Sequence, residues 1–119
     1  MTTSSDPAAH FSLADALRLG PPPSGNLAVP VFAHGSLVAE LYTPQGQDPQ
    51  TPHPRDEVYV VVRGSAVLVT GAGAERRPAA SGGFLFVAAG LPHHFEEISL
   101  DFAVWVFFYG PDGGERPAR

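Results

Sequence analysis

Two residues that could bind a metal ion, His53 and Glu57, stand four positions apart, just before a valine-rich run that ends at Gly64. Pro52 and Pro54 flank the histidine and argue against a helix, because proline lacks a backbone N–H and restricts the residue before it. In an extended chain, alternate side chains share a face. The imidazole and the carboxylate are therefore predicted to lie on one wall of a sheet.

A second candidate ligand, His93, lies about forty residues further on. It follows a turn, a short apolar strand and a second turn within the stretch from Gly82 to Phe95. With His53 and Glu57 it would form a 2-His-1-carboxylate set, which suits a divalent metal with open coordination positions. The expected cofactor is one divalent ion, and these residue types leave Fe, Ni, Zn and Mn open.

The two stretches resemble the paired motifs of the cupin superfamily, G-x5-H-x-H-x3-4-E-x6-G and G-x5-P-x-G-x2-H-x3-N. The resemblance covers roughly the middle and C-terminal two-thirds of the chain. It implies an antiparallel double-stranded β-helix, but no single activity, because cupins include dioxygenases, isomerases, decarboxylases, storage proteins and sensors. The positions that match are His53, Glu57 and Gly64 in the first motif and Gly82, Gly90 and His93 in the second.

Four positions depart from the family pattern. Thr51 stands at the first histidine of the first motif, and Gly46 lies one residue too close to be its opening glycine. Ala88 and Glu97 replace the proline and the asparagine of the second motif. The exchange at Thr51 matters most for chemistry, because a neutral hydroxyl binds divalent metals weakly.

Three alternatives follow from the missing histidine. The metal could be held by His53, Glu57 and His93 alone, with three open positions. A substitute ligand could come from Gln50 or His34. Alternatively, the site could have lost its metal and left a polar pocket in an apolar barrel.

Alternating apolar residues and frequent glycines predict an all-β antiparallel jelly-roll barrel. A short helix is predicted from Ser12 to Leu19, before a proline-rich connector. We divide the chain into an N-terminal segment (1–26), a barrel (27–110) and a polar tail (111–119), and expect residues 1–9 and 114–119 to pack loosely. The predicted strands are Leu27–Ala33, Leu37–Thr43, Val58–Val62, Ala66–Thr70, Phe84–Val87, His93–Ile98 and Phe102–Tyr109, with Glu75–Ala79 a polar edge strand at best.

The last predicted strand, Phe102–Tyr109, is apolar on both faces. Its even-numbered residues are phenylalanine and valine, and its odd-numbered residues are alanine, tryptophan, phenylalanine and tyrosine. One face would line the barrel, and the other needs a second sheet or a second subunit to keep it from water. A homodimer is therefore expected.

Aromatic side chains are predicted to form the wall of a small-molecule pocket. Tyr59 is the best candidate, because it shares a face with Glu57. Residues expected to assist the metal or contact a substrate are Thr51, Gln50, Tyr59, Arg55, Tyr42 and Phe95. The aromatic residues predicted to line the barrel are Phe32, Tyr42, Tyr59, Phe86, Phe95 and Phe107.

Composition excludes several kinds of chemistry and partner. The 119 residues suggest one domain, and the net charge of −5 offers no basic stripe for nucleic acid. The absence of cysteine excludes thiolate ligands and disulfides, and the absence of lysine excludes Schiff-base catalysis. With no apolar run long enough to span a membrane and no recognisable signal peptide, a cytoplasmic protein is expected.

Two functional hypotheses remain. The first is a metal-dependent enzyme, oxygenase-like or isomerase-like, acting on a small organic acid, phenol or sugar-like compound. The alternative is a non-catalytic binding or sensor module, with or without metal. No catalytic residue is assigned, because the inferred interior offers only Tyr59, Arg55 and Thr51 besides Glu57 for proton transfer. An oxygenase needs fewer such groups, because the metal performs the hard step, so the enzyme is slightly favoured.

Overall fold

The computed structural model describes residues 2–3 and 7–117, which contain nine strands and one short helix. The helix α1 spans Leu13–Arg18. The strands are β1 (Thr2–Thr3), β2 (Val29–His34), β3 (Leu37–Tyr42), β4 (Asp56–Arg63), β5 (Ser65–Thr70), β6 (Glu75–Ala80), β7 (Phe84–Val87), β8 (His93–Glu96) and β9 (Ala103–Tyr109).

The strands form two sheets, one in the order β1-β2-β3-β9-β4-β7 and the other in the order β6-β5-β8. Every pair is antiparallel except β1 with β2. The predicted all-β jelly roll with one short helix is therefore confirmed. The polar strand β6, which contains Pro78, lies at a sheet edge, where a residue without an N–H is tolerated.

The main hydrophobic core lies between the two sheets. Phe95 of β8 packs edge-on against Tyr59 and Phe102, with ring centroids 5.0 Å and 5.1 Å away. Leu68 of β5 and Val104 of β9 are completely buried in the same core. Tyr59, which is on β4 with Glu57, thus packs directly against this core.

A second core lies between α1 and the outer face of the larger sheet. Ser12 caps the helix, since its hydroxyl accepts a hydrogen bond from the N–H of Asp15 (3.0 Å) while the Asp15 carboxylate accepts one from the N–H of Ser12 (2.9 Å). The helix covers part of the outer face of β9. From the sequence alone, this face was expected to pack against a second sheet or a second subunit. The buried members of this core are Ala16, Val31, Leu41 and Ala103.

Three aromatic residues predicted to line the barrel lie outside it, and for them the prediction is wrong. Phe86 is 52% exposed, while Phe32 and Phe107 line a groove on the outer face. Phe86 and Phe107 both pair with Val58, one position away from the inward-facing Glu57. A step of one residue along a strand reverses the face of its side chain.

The predicted loose packing of residues 1–9 and 114–119 falls partly outside the described residues. Thr2–Thr3 pair in parallel with Phe32–Ala33 of β2. The backbone N–H of Glu115 donates to Asp56 Oδ2 at 2.7 Å. These contacts fix part of each terminus, while residues 7–9 and 115–117 are exposed. Within the described ranges, no helix is long and apolar enough to cross a membrane.

Candidate metal centre

His53, Glu57 and His93 come together, with one potential ligand atom from each lying within 4.8 Å of the others. Glu57 is the second residue of β4, His93 is the first of β8, and His53 lies in the loop before β4. His93 Nε2 lies 2.5 Å from Glu57 Oε1, and His53 Nε2 lies 3.9 Å from Glu57 Oε2. Two ligands each about 2.0–2.3 Å from one ion lie up to about 4.6 Å apart, so the cluster has the dimensions of a metal site.

The Glu57 carboxylate provides a test of whether a cation fits. Both oxygen atoms are fully buried, and neither has a hydrogen-bond partner of good geometry among the described residues. Beside two neutral imidazoles this buried charge is uncompensated, which costs several kcal/mol. A divalent cation between the carboxylate and the two imidazoles would remove that cost, so the residues fit a divalent metal.

The two histidines are held in different ways. His93 Nδ1 donates to the backbone carbonyl of Leu91 at 2.8 Å, which directs Nε2 toward Glu57. Burial lowers the pKa of His93, but the close Glu57 carboxylate and the Leu91 carbonyl outweigh this effect, so its pKa is raised. Burial lowers the pKa of His53, and the nearby His93 acts in the same direction against the negative charge of Glu57. His53 is therefore the more easily deprotonated of the two.

Two hydrogen bonds join the loops that carry the two motifs. The N–H of Gly90 donates to the carbonyl of His53 at 2.7 Å. The N–H of Ala89 donates to Asp56 Oδ1 at 2.9 Å. Asp56 is buried beside Glu57, and the sequence analysis missed it; an acidic residue at the start of an apolar strand was the available signal.

An open cavity of about 340 Å³ lies beside the three residues. Its wall includes Glu40 of β3, which the sequence analysis missed although it alternates with Val38 and Tyr42. Burial raises the pKa of Glu40, and the charge of Glu57 raises it further. Other residues of the wall are Asn26, Tyr42, Gln50, Thr51, Tyr59, Val106 and Phe108.

Among the predicted auxiliary residues, Tyr59 and Gln50 both make polar contacts with the cluster, and Gln50 Oε1 lies 3.4 Å from His53 Nε2. The Tyr59 hydroxyl donates to Gln50 Oε1 at 3.1 Å and lies 3.1 Å from His93 Nε2. Burial raises the pKa of Tyr59, and the charge of Glu57 adds to the shift, so the phenol stays protonated. The Tyr42 hydroxyl donates to Asp48, at the side of the same cavity.

Three other residues predicted to assist the metal or to contact a substrate do not line this cavity. Arg55 donates to the carbonyls of Ser36 (2.5 Å) and Gly110 (3.4 Å), so we assign it a structural role. Phe95 is buried in the main core beneath Tyr59. His34 is exposed and lines the outer groove, which removes it as a substitute metal ligand.

Comparison with known proteins agrees with this geometry. The family model for the cupin domain matches residues 39–109, more than half of the chain. An uncharacterised protein of Streptomyces coelicolor is 43% identical over 65 residues, which cover 55% of this chain and 60% of that protein. The matched part thus spans about 60% of that relative's length.

Two solved structures illustrate the range of proteins with this fold. A putative mannose-6-phosphate isomerase from Ralstonia eutropha JMP134 superposes with a TM-score of 0.64 and 22% identity, covering 87% of this chain and 100% of that one. The DMSP lyase DddQ from Ruegeria pomeroyi DSS-3 gives a TM-score of 0.54 and 28% identity, covering 63% of this chain and 39% of that one. The motif spacing, the two-sheet barrel and the match over residues 39–109 together show that the chain belongs to the cupin superfamily, as a small domain.

Proposed function

We propose that the protein is a metal-dependent enzyme acting on a small organic molecule in the cavity beside His53, Glu57 and His93. One observation carries this proposal: the buried Glu57 carboxylate faces two imidazoles and lacks a well-aligned hydrogen-bond partner among the described residues. A divalent ion held by these residues would supply a Lewis acid or an oxygen-activating centre. Fe, Ni, Zn and Mn are the candidates.

Glu40 supplies the group for proton transfer that the sequence analysis did not find. It pairs across β3 and β9 with Val106, which pairs in turn with Tyr59 of β4. Neighbouring strands lie about 4.8 Å apart, so the backbones of Glu40 and Tyr59 are about 10 Å apart on either side of Val106, and all three residues line the cavity. The raised pKa of Glu40 favours its use as a general base near neutral pH. This carboxyl group supports an enzyme over a passive binding module.

The cavity wall suggests the class of substrate. A volume of about 340 Å³ suits a small molecule. No arginine or lysine is among the described residues that line it, whereas Glu40 and Glu57 are. We therefore favour an uncharged phenol or sugar-like compound with an oxygen donor over a phosphate ester. The lyase and the putative isomerase named above support an enzymatic use of this fold only by analogy.

One contact favours a metal-free binding module as the second candidate. His93 Nε2 lies 2.5 Å from Glu57 Oε1, and the pKa of His93 is raised. A protonated His93 could neutralise Glu57 in place of a metal. The cavity would then bind its ligand through polar groups alone.

A homodimer in the cytoplasm completes the proposal. The exposed Phe84 and Phe86 on the edge strand β7 support the dimer, because neighbouring apolar residues on an outer sheet face are typical of a contact surface. The location rests on the sequence expectation.

The decisive test is elemental analysis of protein purified without added metal or chelator. We expect about one divalent ion per chain in the wild type, and its loss in His93→Ala and Glu57→Ala with the strand circular-dichroism signal retained. His94→Ala is the matched control, because His94 is the half-exposed neighbour of His93 and contacts Glu96 instead. Equal metal content in wild type, His93→Ala and Glu57→Ala would show that the metal is adventitious and favour the metal-free module.

A further inference from the structure

We propose that Gln50 supplies a fourth metal ligand in place of the histidine that the cupin pattern has at Thr51, and that Asp48 positions it. This inference rests on the proposed function, since it presupposes a metal at His53, Glu57 and His93.

The distances around Gln50 Oε1 are those of a neighbouring ligand. This oxygen lies 3.4 Å from His53 Nε2. At tetrahedral or octahedral angles, two ligands about 2.1 Å from one ion are about 3.0–3.4 Å apart. Gln50 Oε1 also lies 3.1 Å from the Tyr59 hydroxyl, which is itself 3.1 Å from His93 Nε2. The amide oxygen is therefore on the edge of the ligand cluster, within the same cavity wall.

Asp48 determines which end of the Gln50 amide faces the cluster. Asp48 Oδ2 lies 2.5 Å from Gln50 Nε2. An ionised carboxylate only accepts hydrogen bonds, so the amide NH₂ must face Asp48 and the carbonyl oxygen must face His53. The aspartate is itself held, because it accepts hydrogen bonds from the Tyr42 hydroxyl, the N–H of Phe95 (2.8 Å) and the N–H of Gln50 (3.3 Å). Asp48 thus acts through Gln50 as a positioning residue.

Thr51 is a weaker candidate for the same role. Its side chain is exposed, although it lines the cavity. An amide carbonyl is an ordinary oxygen ligand of divalent ions, and carbonyl and carboxylate oxygens suit Mn²⁺ better than Zn²⁺. An exchange of imidazole for amide oxygen should therefore shift the preference of the site toward Mn²⁺ and Fe²⁺ and away from Zn²⁺.

Titration of metal-free protein with Co²⁺, Mn²⁺ and Zn²⁺ tests the assignment, read out by affinity and by the visible absorption of bound Co²⁺. We expect Gln50→Ala to weaken binding about tenfold or more and to change the Co²⁺ spectrum, and Asp48→Asn to weaken it about tenfold and to change the same spectrum in protein that is still folded by circular dichroism. Thr51→Ala is the control and should change neither readout. Gln50→His should restore affinity and move the preference toward Zn²⁺.

The outcomes separate this inference from the proposed function. If the wild type binds Co²⁺ no better than His93→Ala, the metal site itself is wrong. If His93→Ala abolishes binding while Gln50→Ala keeps the wild-type affinity and spectrum, only the Gln50 assignment is overturned. Should Gln50→Ala fail to fold, Gln50→Met keeps the side-chain length without the oxygen donor and gives the same comparison.

Discussion

At the scale of single residues, the site is defined by buried polar groups. The carboxylate of Glu57 is buried without a well-aligned partner among the described residues, and His93 is oriented by the Leu91 carbonyl. A metal ion bound there would compete with a proton for His93 Nε2, because that atom faces Glu57. The same burial that makes Glu57 costly in an empty site makes it a strong ligand in a filled one.

Glu40→Gln should reduce turnover about 100-fold or more while metal content stays unchanged, because Glu40 is the proposed base and not a ligand. Burial is the main cause of the raised pKa of Glu40 and does not depend on the charge of Glu57, so the wild-type rate should fall with decreasing pH at a higher pH than for an ordinary carboxylate. The rate of Glu40→Gln should lack this acidic limb. The measurement is the pH profile on a phenol or polyol substrate found by screening.

Stability gives a second readout for Glu40 that needs no substrate. A carboxyl group whose pKa is raised in the folded state stabilises that state below its unfolded pKa and loses this contribution as pH rises through the folded pKa. Glu40→Gln should therefore melt at a higher temperature than the wild type at pH 7 and show a smaller loss of stability between pH 4 and 7. Identical melting curves across this range would contradict the raised pKa of the half-buried Glu40.

At the scale of elements, the turns decide how the strands carrying the ligands meet. Gly64 joins β4 to β5 with φ of +73°, a region that favours glycine. A Cβ atom there would lie 2.5 Å from Ser99 Oγ and 2.8 Å from Phe102 Cα. The motif glycine is thus required both by its backbone angle and by the close approach of the chain before β9.

Gly64→Ala should lower the free energy of unfolding by clearly more than Gly82→Ala. Both residues have positive φ, which costs an alanine about 1–2 kcal/mol, but a Cβ at Gly82 would meet nothing within 4 Å. We expect losses of about 1 kcal/mol for Gly82→Ala and at least about 3 kcal/mol for Gly64→Ala, where a backbone clash adds to the strain. Urea unfolding of both variants measures this difference, and equal losses would show that Gly64 has room for a side chain.

At the scale of the whole molecule, the outer face of the larger sheet is covered on one side only. One row across the sheet runs through Phe84, Val60, Trp105 and Leu41. Leu41, in the core beside α1, is 1% exposed, whereas Phe84, on the edge strand β7, is 70% exposed. The helix therefore covers part of the face for which the sequence predicted a partner, and the β7 end stays exposed.

The protein should be a dimer at micromolar concentration, and Phe84→Glu should convert it to a monomer, because a charge in a buried apolar contact is costly. Leu100→Glu is the control, since Leu100 is 90% exposed and lies in the loop between β8 and β9 rather than on this face. Light scattering gives the mass of each variant. A monomeric wild type, or a Phe84→Glu dimer, would contradict the assignment of this surface.

The sequence by itself determined the strand content, the family and the three residues that cluster as candidate ligands. Alternation with period two and the glycines at the corners predict the barrel. His53, however, reaches Glu57 from the loop before β4 and not from a shared strand face. His93 required the resemblance to a known motif pair as well, since no local pattern links it to residues forty positions earlier.

Only the tertiary structure decided which residues surround the candidate ligands His53, Glu57 and His93. Glu40 reaches the cavity because β9 pairs with both β3 and β4, and Asp48 can orient Gln50 because β8 presents the N–H of Phe95 to it. The inward or outward direction of a side chain is a local property of its strand. Its neighbours depend on the register between strands that are distant in sequence. A shift of one residue, as between the exposed Phe86 and the buried Val87, moves a side chain from one face of the sheet to the other.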